Sequence, residues 1–227
     1  MIFSGIDIEV KRSERVKTLS IFVERDGSVS VLAPVSVDDD KILNLLKSKE
    51  YLLHTKISRW KELNAGSIKR EFVNGQSFMY LGRNYRLKIV EEQATDLVFK
   101  GNFFLFNRKS LPKAEKVFID FYKNKGLEKI NERLSFYQEK IKANVTDIRV
   151  MELKNRWASC SNNGRLNFHW KVAMAPVSVL DYIIVHELVH LLHHNHSLAF
   201  WNELDKILPN YRDAEIWLRH HGVKMSL

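Results

Sequence analysis

The run Asp181 to Ser197, DYIIVHELVHLLHHNHS, constrains this chain more than any other stretch of it. It holds His186, Glu187 and His190 in H-E-x-x-H spacing, with His196 further on. On an α-helix, residues four apart lie one above the other on the same face. His186 and His190 can then aim two imidazoles at one ion, a geometry suited to zinc. Glu187 falls on the neighbouring strip, where its carboxylate can reach a water held by that ion. Two histidines on an otherwise apolar helix can also be core groups satisfied by hydrogen bonds. The flanking residues have to separate these readings.

They favour a helix over 178–194. Pro176 precedes it, and Ser178 with Asp181 three residues on reads as an N-cap and its capping-box acid. Leu180, Ile183, Ile184, Leu188, Leu191 and Leu192 recur at helical spacing and predict a buried stripe, with the histidines facing a cleft beside it. His193 shares a face with His186 but sits about 10 Å further along the axis, too far for one ion to accept it with His186 and His190. The chain has to turn back, and Asn195 is the residue here that best tolerates the left-handed conformation that ends helices. His196 follows it and is the expected third ligand. Glu203 or Glu215, from a following helix, would instead give a His-His-Glu site. His193 and His194 are expected to be exposed or to support the ligands from behind.

The rest of the chain reads as α+β. Residues 1–106 are β-rich. Runs at Thr18 to Val23 and Ser28 to Leu32 flank the hairpin residues Arg25-Asp26-Gly27. A helical pattern covers Val37 to Lys61. Two more strand pairs follow, Ser77 to Val90 turning at Gly82-Arg83-Asn84, and Asp96 to Phe106 turning at Gly101-Asn102. No residue there has metal-ligand or nucleophile spacing, so this portion is expected to be a scaffold or a substrate-positioning module. Residues 107–227 then carry a leading helix over 112–142, strands over 147–172 around a loop at Arg156 to Gly164, the helix over 178–194, a helix capped by Ser197 and running through Ile207, and a last helix near Arg212 to His220.

Composition limits where such a chain can work. No stretch approaches the roughly 18 apolar residues of a membrane span, and the opening MIFSGIDIEV lacks a signal-peptide pattern. Cys160 is the single cysteine, so no internal disulfide forms and a reducing cytoplasm is the expected location. Cys160 is expected to be a small buried group near the site loop. A net charge of +9 suits an acidic partner, but no zinc finger, RNA-binding signature or basic tail concentrates it.

At HELVHLLHHNHSLAFW, with RWASCSNNGRLNFHW upstream and LPNYRDAEIWL downstream, the chain resembles the bacterial YgjP-like metallopeptidases, relatives of the SprT-like and WLM zinc peptidases. RSERVKTLSIFV, GSVSVLAP and YLGRNYRLKIV resemble the β-rich leading portion of that family. Ala158 stands where the family usually has glycine, and His169 where asparagine is usual. The resemblance implies a β-rich N-terminal portion followed by a zincin-like catalytic domain. It also implies one Zn2+ per chain on His186, His190 and His196, with Glu187 as general base. Three neutral imidazoles leave zinc one open position for a water of pKa about 7. Glu187 would take its proton during attack on a carbonyl and pass it to the departing amine. Arg156, His169 and Tyr211 are candidates for contacting the substrate or stabilising the oxyanion. The substrate is expected to be a peptide or protein added along a strand edge within 156–171. Two alternatives remain: a metal-dependent nucleotide phosphohydrolase, which lacks a G-x-x-x-x-G-K-[ST] loop to rest on, and a non-catalytic module stabilised by zinc. The relatives' association with proteins crosslinked to DNA makes a DNA-associated protein a further possible partner.

Overall fold

Alternating apolar residues at the start of the chain make short strands with one face to bury. The computed structural model describes residues 1–24, 27–64, 70–153 and 156–227. It divides the chain into two compact units, Met1–Ser67 and Ile68–Leu227. In the first, β1 (Ile2–Phe3), β2 (Ile6–Arg12), β3 (Ser20–Val23) and β4 (Val29–Ala33) form a sheet in the order β1-β2-β4-β3. Its central β2–β4 pair is parallel and its outer pairs antiparallel. The expected β3–β4 hairpin is present; Arg25 and Asp26 of its turn lie outside the described residues. Ile8, Val29, Val31 and Ala33 are buried together with Ile42, Leu46, Leu53 and Ile57 of α1 (Asp39–Asn64). Those four helix positions, spaced by four, seven and four, form one stripe. Asp39 and Asp40 in the first turn and Lys61 in the last complement the helix dipole.

The second unit begins with the same strand plan. β5 (Ser77–Tyr80), β6 (Arg83–Val90), β7 (Leu97–Lys100) and β8 (Phe103–Asn107) run in the order β5-β6-β8-β7, again with a parallel centre and antiparallel flanks. Each sheet is followed by a long helix, here α2 (Ala114–Ile141) after a 3₁₀ segment at Arg108–Lys113. The β5–β6 turn falls at Leu81 and Gly82, whose φ angles of 47° and 80° make a tight left-handed turn. Arg83 and Asn84, expected in that turn, already belong to β6.

α2 joins the two halves of this unit. Its buried residues recur every fourth position from Ala114 through Phe118, Tyr122, Gly126 and Ile130 to Leu134. Near its start, Phe118 stacks on Phe78 of β5 at 4.4 Å and on Phe106 of β8 at 5.8 Å. The Tyr122 hydroxyl donates to the Met79 carbonyl at 2.7 Å. At Gly126 a Cβ would lie 3.3 Å from Ala173, so the glycine allows a close approach. A sequence division at 106/107 therefore gives way to one at 67/68. The 77–107 sheet shares its core with α2 and belongs with the C-terminal elements.

Those elements are β9 (Asp147–Met151), β10 (Ala158–Cys160), β11 (Arg165–His169), α3 (Val177–His190), α4 (Leu198–Ile207) and α5 (Tyr211–His221). The sheet order is β10-β11-β9, with β10 antiparallel and β9 parallel to β11. β10 arises inside the stretch expected to be a loop, and it is an edge strand. β11 stops at His169 and does not run on to Val172. There the His169 ring accepts the Lys171 N–H at 3.1 Å and caps a 3₁₀ segment, Trp170–Met174. Ser197 sits at the N-cap of α4, as expected. The architecture is mixed α and β, a sheet-rich start followed by helices. Among the described residues no helix is long and apolar enough to cross a membrane.

Candidate active site

α3 is held rigidly because it is apolar almost all round: Leu180, Ile183, Ile184, Val185, Leu188 and Val189 are all buried. Its start differs from the expected capping box. Pro176 occupies the N-cap and no side chain caps the helix. The Asp181 carboxylate turns to α2 instead, receiving Arg133 Nε at 2.6 Å and Nη2 at 2.7 Å. A bidentate charged pair outcompetes a backbone cap for the same oxygens. Gly82 clamps the entry from the other side, donating its N–H to the Met174 carbonyl at 2.9 Å. A Cβ at Gly82 would sit 2.8 Å from Pro176 Cγ and 2.9 Å from its Cα.

The helix ends at His190, one turn before the expected 194. The His193 N–H bonds to the Val189 carbonyl at 2.8 Å, and the His193 carbonyl lies 3.1 Å from His190 Nδ1. Asn195 is not left-handed: among the described residues only Ser4, Leu81 and Lys142 have positive φ without being glycine. The turn at Leu191 and Leu192 reverses the chain earlier, where it also brings the His193 carbonyl under His190. His196 then swings back so that its Nε2 lies 3.1 Å from His186 Nε2. One nitrogen from each of His186, His190 and His196 lies within 4.8 Å of the others, a group able to hold a metal ion. Glu203 and Glu215 are not in that group: Glu203 pairs with Lys206 at 3.0 Å, and Glu215 accepts from the Tyr182 hydroxyl at 3.1 Å.

Phe200 forms the floor beneath the trio. Fully buried, it has its ring 5.0 Å from His186, 4.6 Å from His190 and 4.7 Å from His196. Trp201 stacks on His196 at 5.5 Å, then on Tyr211 at 5.6 Å. Tyr211 stacks on Tyr182 at 6.4 Å, and Tyr182 returns to His186 at 5.7 Å. An aromatic arc thus runs from one outer histidine to the other. Phe200, Trp201 and the His193 carbonyl were not singled out from sequence. The pair Phe200-Trp201, at one helical turn past His196, was the available sign.

The trio opens into a cleft of about 360 Å³ lined also by Glu187, Arg156, Ser159, Cys160, Asn162 and His194. Burial pushes the Glu187 carboxyl up to about 7, against the pull of the Arg156 guanidinium. Burial, reinforced by His190 and His196, lowers His186 to about 3, and burial also lowers His190. Both rings are therefore neutral near pH 7, the form that binds a metal. Burial, with Glu187 nearby, raises the half-buried Cys160 thiol to about 11, so it is no thiolate nucleophile at neutral pH. Of the three substrate-side candidates, only Arg156 lines the cleft. His169 is buried with Nε2 3.1 Å from Glu152, and Tyr211 lines a separate hollow with Pro176, Pro209 and Trp217. His194 is exposed, as expected, and lines the cleft.

No curated protein matches the chain. Among solved structures, the crystal structure of the metallopeptidase zymogen of Pyrococcus abyssi abylysin is similar at 26% identity and a TM-score of 0.38, covering 43% of this chain and 96% of that one. The YgjP-like metallopeptidase domain matches residues 17–221, nearly the whole sequence. The chain that carries the histidine trio belongs to the YgjP-like metallopeptidase family.

Proposed function

We propose that this metallopeptidase is a zinc enzyme in which His186, His190 and His196 hold one ion per chain and Glu187 is the general base. Family membership brings a metal cofactor and peptide or protein substrates. The observation that carries the finer reading is the convergence of three imidazoles with a buried carboxylate in one cleft, beside the edge strand β10. Tetrahedral zinc with bonds of about 2.0–2.1 Å sets its nitrogen ligands about 3.3 Å apart. The 3.1 Å between His186 Nε2 and His196 Nε2 is close to that spacing. The His193 carbonyl occupies His190 Nδ1 and leaves its Nε2 for an ion, the backbone support that ligand histidines ordinarily have. When bound, zinc would polarise a carbonyl and bring the pKa of a water to about 7.

The chain's own groups supply the rest. In the metal-free chain burial raises the Glu187 carboxyl to about 7, and a bound ion would draw it back toward the carboxylate form that a general base needs. Among the described residues β10 is the edge strand of its sheet, and its residues Ala158 to Cys160 line the cleft, suited to pairing with an extended peptide. Arg156 at the rim is a donor for the substrate carbonyl. Nothing favours the nucleotide reading: Arg156 is the one lysine or arginine among the described residues lining the cleft. Protein purified without chelators should carry close to one zinc per chain. Glu187→Gln should retain the ion and lose peptide cleavage by at least about 100-fold. Absence of near-stoichiometric zinc, or unaltered cleavage by Glu187→Gln, would remove this mechanism. An unchanged metal affinity in His196→Ala would remove His196 as a ligand.

A further inference from the structure

His186 and Glu187 line a second hollow beside the cleft, and its character is different. It is an open depression of about 240 Å³ lined by Trp157, Ala158, Tyr182, Ile183 and Leu218, sharing Arg156, Ala158, His186 and Glu187 with the first. The shared residues form the seam between the two. On the cleft side the wall is polar, with Ser159, Ser161 and Asn162; on the hollow side it is aromatic and aliphatic. Whole small-molecule pockets occupy roughly 300–1,000 Å³, so the hollow suits one side chain and not a complete ligand.

Three of its walls are held in place by their neighbours. Ile183 is buried within α3, and the Tyr182 hydroxyl is tied to Glu215 at 3.1 Å. The Trp157 indole packs against Gly222, where a Cβ would come within 2.6 Å of Cζ2. It also meets the His169 ring edge-on at 6.1 Å. A wall that cannot retreat discriminates by shape as well as by polarity.

We infer that this hollow receives one large apolar side chain, of leucine, methionine or phenylalanine, from a residue flanking the bond that is cut, with Leu218 setting the depth. This rests on the peptidase reading for its catalytic meaning, whereas binding in the hollow does not. Two measurements keep them apart. In the intact protein, N-acetyl-phenylalaninamide should shift the Ile183 and Leu218 methyl resonances, and N-acetyl-alaninamide should not. In zinc-loaded protein, peptides differing at one position beside the scissile bond should show kcat/KM at least about tenfold higher for phenylalanine or leucine than for alanine. Leu218→Trp should lower that preference at least about tenfold, and Leu218→Ala should extend it toward tryptophan. Methyl shifts without any cleavage would leave the side-chain site standing and remove the peptidase reading. Cleavage without side-chain preference, preference for charged residues, or preference untouched by either Leu218 variant would overturn the inference.

Discussion

Glu187 is kept in a place that costs the fold stability, and the cost can be measured. The residue is 7% exposed, and burial raises its carboxyl from the ordinary 4.5 to about 7. A carboxyl that holds its proton more tightly folded than unfolded stabilises the protein below about pH 4.5, and that contribution is lost as pH rises through about 7. A difference of that size corresponds to about 3 kcal/mol at 1.36 kcal/mol per pH unit. Glutamine is nearly the same shape and carries no charge at any pH. In the presence of a chelator, Glu187→Gln should therefore gain about 3 kcal/mol relative to wild type between pH 4.5 and pH 8.

Urea titrations at a series of pH values, followed by tryptophan fluorescence, would read this out. Trp157, Trp170, Trp201 and Trp217 lie in the second unit and Trp60 in the first, so the signal reports chiefly on the unit holding the site. His186 works in the opposite sense. Its pKa falls from 6.5 to about 3, so its contribution is present above pH 6.5 and lost as pH drops. That contribution is common to both proteins and cancels in the comparison. A wild-type minus Glu187→Gln difference that stays flat within about 0.5 kcal/mol from pH 4.5 to 8 would refute the desolvation of Glu187.

Three other perturbations follow from the same geometry. Trp201→Ala removes the ring stacked on His196 and should weaken zinc affinity about tenfold in competition with a chromophoric chelator, with Trp201→Phe recovering most of the loss. Gly82→Ala forces an alanine to a φ of 80° and into the backbone of Pro176; chemical denaturation should show a loss of at least about 2 kcal/mol. Arg133→Ala strands the Asp181 carboxylate, which is 9% exposed, and because Arg133 itself is 26% exposed the loss should be about 2 kcal/mol, below that of a fully buried pair. An equal loss when Arg133→Ala is made in an Asp181→Asn background would instead point to packing of the arginine stem.

What the sequence could and could not disclose divides along physical lines. The H-E-x-x-H spacing forces two imidazoles onto one face wherever the helix forms, and the distance along the axis already disfavoured His193 as a ligand. That reasoning needed only local geometry, and the trio found in space is the one it favours. The turn that delivers His196 was misplaced, because its position depends on the His193 carbonyl meeting His190, a contact absent from any propensity. The capping box at Ser178 failed for a similar reason: Asp181 had a better partner 48 residues away. Long-range partners also decided the domain boundary, since apolar spacing in α2 cannot say which sheet its Phe118 end will cover. β10 is the most instructive miss. Its three residues carry no alternation long enough to read, and they are a strand only because β11 pairs with them. Among the described residues that pairing leaves β10 at the edge of its sheet beside the cleft, so the feature hardest to read in the sequence is the one on which peptide binding is proposed to depend.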